Sequence, residues 1–137
     1  MVQPYIGASI TRKEDERFLT GQAIFADDVK LPGMLHAAFL RSPHAHARIK
    51  AIDTTAARTI PGVTAVFTYA DIASQDKPIP VRLYPLPSLL PFLQYPLAQD
   101  KVRYVGDPVA IVVADSRYVA EDALDAIEVT YEPLPAV

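Results

Sequence analysis

Six of the thirteen prolines, Pro78, Pro80, Pro85, Pro87, Pro91 and Pro96, fall within one stretch of a 137-residue chain. Proline has no amide hydrogen for a helix or a sheet ladder, and its ring clashes with the preceding turn. Neither a regular helix nor a central strand is expected to run through this stretch. The core must come from the segments on either side, with Ser74 to Gln99 as a long excursion. Leu83, Leu86, Leu89, Leu90, Phe92 and Leu93 make that excursion too apolar to face water all at once. It is expected to dock, either on its own domain or on another domain or chain.

Before the excursion, Met34 to Leu40 is apolar at nearly every position, the pattern of a strand covered on both faces. Ala45, Ala47, Ile49 and Ala51 alternate with His46, Arg48 and Lys50, the pattern of a strand with one wet face. Ser42-Pro43 between them has turn chemistry, so the two strands are expected to form an antiparallel pair. Asp53 stands where an N-cap would, ahead of a short helix over Thr54 to Arg58 that Pro61-Gly62 ends. Val63 to Tyr69 reads as another alternating strand.

Beyond the excursion, Val102 to Val105 leads through the Gly106-Asp107-Pro108 turn into Val109 to Val113, a buried strand by its β-branched content. Asp115 or Ser116 caps a helix whose apolar positions Val119, Ala120, Ala123, Leu124 and Ile127 follow the helical period, with Glu121, Asp122 and Asp125 opposite. Ile127, Val129 and Tyr131 then alternate with Glu128, Thr130 and Glu132 in a half-exposed strand, before Pro133 to Pro135 leaves the sheet. The order predicts an α+β fold: a mixed, mostly antiparallel sheet with two helices and the long proline-rich excursion. An N-terminal arm over residues 1–22 precedes a single domain over residues 23–137.

Half the residues are hydrophobic, 21% are charged and the mean hydropathy is +0.14, so the chain is too apolar for disorder and a little apolar for a free-standing small domain. Part of that surface is expected to meet a partner. A formal charge of -3 gives no basic stripe to neutralise phosphates, which argues against nucleic acid as a ligand. With no cysteine, disulfides, iron–sulfur ligation, thiolate zinc sites and a Cys nucleophile are excluded, and a reducing compartment fits. The opening MVQPYIGASI lacks a basic region followed by an apolar one, and no run of about 18 apolar residues occurs. A cytoplasmic, membrane-free protein is expected.

The five glycines are never closer than twelve positions, so no G-x-G-x-x-G or Walker loop cradles phosphates, and no G-x-S-x-G elbow places a serine nucleophile. His44 and His46 form an H-x-H pair that a strand would project from one face, as many metal sites do. In a hairpin turning at Pro43, His46 would face Leu40 and leave His36 roughly 13 Å farther along, so a metal held by His44 and His46 would need a carboxylate from elsewhere. Ser42-Pro43-His44 does not place hydroxyl, imidazole and acid in line. Asp27-Asp28, Glu14-Asp15-Glu16 and the helical Glu121, Asp122 and Asp125 read as solvated faces, and Arg12, Asp15 and Arg17 as a cluster that holds the arm, with binding of a substrate anion as the alternative. No catalytic, cofactor-binding or metal-binding residue is assigned.

Six segments, in order, resemble the first domain of the molybdenum hydroxylases, the xanthine dehydrogenase, aldehyde oxidase and carbon monoxide dehydrogenase large-subunit family. They are Arg12 to Gly21 (RKEDERFLTG), Phe25 to Asp28 (FADD), Leu31 to Leu35 (LPGML), Arg41 to Ile49 (RSPHAHARI), Val105 to Ala114 (VGDPVAIVVA) and Tyr118 to Val137 (YVAEDALDAIEVTYEPLPAV). The resemblance implies the α/β hammerhead fold and a parent subunit that binds molybdopterin cytosine dinucleotide. Such a parent hydroxylates an aldehyde, a heteroaromatic ring or a similar carbon with water as oxygen source, alongside iron–sulfur and flavin subunits or domains. The family's cofactor-holding glycine segments and its basic glutamate follow this domain, so the chain alone is expected to be inactive, packing beside the molybdopterin-binding domains while its excursion helps shape the substrate channel. Glu132 to Val137 resembles the exit toward those domains, which implies a piece of a longer subunit or a split gene. The alternative is a free-standing interaction module of the same fold that binds through Leu86 to Leu93.

Overall fold

The computed structural model describes residues 6–75, 77–80 and 87–136, which fall into two compact units, Met1–Met34 and Leu35–Val137. In the first, Asp15 accepts from the Arg12 backbone at 3.2 Å and from its guanidinium at 3.1 Å, and so starts the short helix α1 (Asp15–Leu19). The Arg17 carbonyl accepts from the amides of Gln22 and Ala23 as the chain turns back, and Phe18 meets Phe25 with ring centroids 5.5 Å apart. None of the described residues of this unit is buried.

The second unit holds β1 (His36–Arg41), β2 (Ala47–Asp53), α2 (Thr55–Arg58), β3 (Val63–Thr68), α3 (Tyr69–Ile72), β4 (Lys101–Val102), β5 (Pro108–Ala114), α4 (Arg117–Leu124) and β6 (Glu128–Pro133). All pairings are antiparallel, but they form two three-stranded sheets, ordered β1-β5-β3 and β4-β2-β6. The expected β1–β2 hairpin does not form, because the Gly106-Asp107 turn captures the end of β1. The Ser42 amide donates to the Asp107 carbonyl at 2.9 Å, and the Gly106 amide donates to the Ser42 carbonyl at 2.8 Å. Residues 43–46 then carry the chain from the first sheet to the second.

Sheet one is the heart of the main core. Its central strand β5, a run of Val, Ala and Ile, presents Ala110, Val112 and Ala114 to Ala120 and Ala123 of α4, all fully buried. Alanine at these helix positions lets the helix backbone approach the sheet closely. Ser116 caps α4 by accepting from the Val119 amide at 3.2 Å, so of the two cap candidates Ser116 serves. Asp53 acts just ahead of α2, its carboxylate accepting from the Thr55 amide at 2.8 Å. Gly62, at φ +91°, ends the turn after α2 in a conformation that side chains resist, and a Cβ there would lie 3.3 Å from Val119 Cγ1. A second cluster of Ala47, Ala98, Val102 and Val109 lies under sheet two, and Ile52 and Val129 pack against both clusters.

Four local readings change in the folded chain. In β2 the register slips between Ile49 and Ala51, leaving Lys50 as a bulge residue; the alternation breaks, so Ala51 is exposed and Ile52 turns inward. The strand expected to reach Tyr69 stops at Thr68, where Asp71 accepts from the Thr68 amide at 2.7 Å and opens α3. The strand-like run from Val102 narrows to Lys101–Val102, because Arg103 turns to hydrogen-bond Asp107. Within the excursion, Pro87–Phe92 forms a 3₁₀ helix, a form that runs only in short pieces, led by Pro87 at a position that owes no amide bond.

The C-terminal end of the excursion docks on its own unit. Leu97 and Ala98 are buried, Tyr95 packs edge-on against Tyr69 at 5.9 Å, and the Ala98 amide donates to the Pro108 carbonyl at 2.7 Å. Phe92 keeps 75% of its surface exposed. Leu83, Leu86 and the side chain of Leu90 lie outside the described residues. Strand β1 is not covered on both faces: Ala37 and Phe39 are exposed, since α4 covers only the other side. Among the described residues no helix is long and apolar enough to cross a membrane.

Candidate interaction site

The polar centre of the second unit grows from the junction between its sheets. Ser42 and Asp107 are the buried polar residues among those described, at 2% and 7% exposure. The Ser42 hydroxyl lies 3.0 Å from the His44 amide, from which it accepts, and it hydrogen-bonds Tyr131. The Asp107 carboxylate accepts from the Arg103 amide at 2.9 Å and from the Tyr104 hydroxyl. Arg41 donates to the Gly106 carbonyl at 2.9 Å, fixing the rim of the same turn.

Burial, more than any partner, pushes the Tyr104 hydroxyl above its ordinary pKa; the charge of Asp107 and the hydrogen bond to it add to the rise, and Arg41 opposes it. Tyr131 is likewise raised, first by burial and then by Asp107, against the Ser42 hydrogen bond. Two protonated phenols and one carboxylate thus brace the crossover.

Beside this brace lies an open groove of about 540 Å³ lined by His46, Phe92, Lys101, Arg103, Tyr104 and Pro135, among others. His46 Nδ1 lies 2.7 Å from the Pro135 carbonyl. A carbonyl only accepts, so Nδ1 carries the proton and donates. The groove combines cationic and aromatic side chains around an apolar floor, a surface suited to contact rather than to bond making.

The sequence candidates are distributed differently from what their spacing implied. His44 and His46 sit in the crossover rather than on a strand, and they serve separate partners: the His44 ring meets Tyr131 edge-on at 4.8 Å, while His46 ties to Pro135. His36 lies at the far end of β1, paired with Ala114 in the other sheet, so the hairpin register used to place it does not exist. Among the described residues no three His, Asp or Glu side chains converge as a metal site would require. Ser42 uses its hydroxyl on the backbone of His44, not on the imidazole. Asp28 binds the Phe25 amide at 2.9 Å, and Glu121, Asp122 and Asp125 are exposed on α4. Sequence reasoning missed Arg103, Tyr104, Asp107 and Tyr131. Only the Gly-Asp-Pro turn signalled them, and it did not reveal that its aspartate is buried.

Two antiparallel sheets joined through a shared core, with one helix laid across the first, define an α/β hammerhead domain. Residues 20–135 match the profile of aldehyde oxidase and xanthine dehydrogenase, a/b hammerhead domain, and the chain belongs to this family. The carbon monoxide dehydrogenase large chain of Afipia carboxidovorans is 49% identical over 132 residues, which are 96% of this chain and 16% of that one. The nicotine 6-hydroxylase large subunit of Paenarthrobacter nicotinovorans is 46% identical over the same shares of the two chains. The crystal structure of quinoline 2-oxidoreductase from Pseudomonas putida 86 superposes with a TM-score of 0.81 at 44% identity, covering 96% of this chain and 16% of that one. The chain therefore spans about a sixth of the length of the relatives it matches.

Proposed function

We propose that this chain is the hammerhead module of a molybdopterin-dependent oxidoreductase large subunit, and that its own role is packing beside the cofactor domains rather than bond making. The observation that carries the reading is the combination of close identity along nearly the whole chain with coverage of only 16% of the carbon monoxide dehydrogenase large chain. We place the arm over residues 1–22 and the hammerhead over residues 23–137. The parent acts on an aldehyde, a heteroaromatic ring or a similar carbon, works with iron–sulfur and flavin subunits or domains, and resides in the cytoplasm. The excursion, on which Phe92 is exposed, is read as bordering the parent's substrate channel.

Molybdopterin cytosine dinucleotide belongs to the parent, where the molybdenum that it carries would supply the electron acceptor for hydroxylation. The described residues do not fit that group by themselves. Each glycine stands alone in its own turn, no three metal-binding side chains converge, and the cationic groove is broad and open. No step of the reaction is assigned to them.

Expression of the chain with and without the remainder of the parent subunit tests the reading. The chain alone is expected to retain no molybdenum and to oxidise no aldehyde, and the longer subunit to do both. Molybdenum retention with turnover by the isolated chain would overturn the assignment.

A further inference from the structure

The two sheets treat their outer faces differently. The wet face of sheet two carries Arg48, Lys50 and Glu132, as a surface strand in water should. The face of sheet one turned away from α4 carries two register rows of six apolar side chains, Ala37–Val113–Ala65 and Phe39–Ile111–Phe67, with the Arg41 guanidinium 5.7 Å from the Phe39 ring centroid. Phe39 and Phe67 keep 42% and 38% of their surface exposed. Ile72, Pro96 and Leu97 border the second row and leave an apolar depression of about 250 Å³. Strand β1 thus has the composition of a strand buried on two sides and a cover on only one. A contiguous apolar patch on a sheet face marks a contact surface.

We propose that this face of sheet one, centred on the Phe39–Ile111–Phe67 row, is the surface on which the rest of the parent large subunit docks, through an apolar layer laid over β1, β5 and β3. The proposal rests on the reading of the chain as one module of a longer subunit. The 16% share of the relatives' length leaves most of such a polypeptide outside this chain to supply the cover. The other large depression has an apolar floor but is flanked by the charges of Lys101 and Arg103, and it belongs to the rim of such an interface.

The test uses the full-length large subunit with a specific protease site inserted after Val137. After cleavage, the wild-type segment should remain with the rest on gel filtration. The Phe39→Glu/Phe67→Glu segment should be released at least about tenfold more readily, as expected for the loss of two central aromatic anchors, while Lys50→Gln on the wet face leaves retention unchanged. Hydroxyl-radical footprinting of the wild-type subunit provides a second measurement should the double variant not fold: Phe39 should be protected in the assembled subunit and labelled in the separated segment. Retention of the double variant, or equal labelling of Phe39 in both states, overturns the docking face and leaves the parent-subunit reading intact. Immediate separation of the wild-type segment overturns both. Protection of Phe39 that appears only as the separated segment self-associates assigns the face to a second copy and overturns the proposal.

Discussion

The amide of Ser42 donates to the carbonyl of Asp107 at 2.9 Å, and this bond fixes where the chain leaves one sheet for the other. Both residues are almost wholly buried, so each side-chain hydrogen bond they make replaces water that cannot return. The crossover is consequently a rigid joint, although its sequence reads as an ordinary turn.

Ser42→Ala leaves the His44 amide and the Tyr131 hydroxyl without their partner at this joint. The expected loss is about 1–3 kcal/mol, measured by urea unfolding. Tyr131→Phe combined with Ser42→Ala should cost less than the sum of the two single changes, because they remove one shared interaction.

Asp107→Asn weakens the acceptor for the Arg103 amide and removes the charge beside Tyr104. Tyr104 should then ionise at lower pH than in the wild type, yet still above its ordinary value, because burial is the larger cause of its shift. Ultraviolet difference titration of the phenols reads this directly. A Tyr104 transition that does not move would contradict the arrangement.

Asp71 is held below its ordinary pKa of 3.8 chiefly by the Thr68 amide, with the Thr68 hydroxyl and Arg58 contributing. A carboxyl lowered on folding adds stability above its unfolded pKa, and that contribution disappears as pH falls through the folded value. Asp71→Asn should therefore reduce stability at neutral pH and flatten the fall as the pH drops below about 4. Thermal melts of the two proteins across that range supply the comparison.

Ala123→Leu forces extra methylene groups between α4 and sheet one, where Ala123 has no exposed surface. The expected cost is about 1–3 kcal/mol, with hydrogen-exchange protection lost first in α4. Tyr118→Ala, on the exposed side of the same helix, should leave stability nearly unchanged.

The elements that could be read in the sequence are those whose own side chains determine them. β5 is apolar along its length, α4 carries a 3.6-residue stripe with Ser116 before it, and Asp53 precedes α2. The α+β hammerhead architecture followed from six family-like segments in order. What could not be read depends on one-residue events: the Lys50 bulge changes the phase of β2, and Thr68 with Asp71 ends β3 one residue early. Neither event alters the hydrophobic pattern enough to be recognised locally. The same holds for the site, since His44, Ser42, Asp107 and Tyr131 come from segments up to ninety positions apart.

The amino-acid order settled most of the strands, α2, α4 and which family the chain joins, because period, caps and prolines act over a few residues. Tertiary structure alone decided that β1 and β2 belong to different sheets, since the Gly106-Asp107 turn competes for Ser42 from more than sixty positions away. It also decided that, among the described residues, the Phe39–Ile111–Phe67 row is only partly covered. A strand's composition states how much apolar surface it carries; only the packing of distant elements determines which side of it they cover.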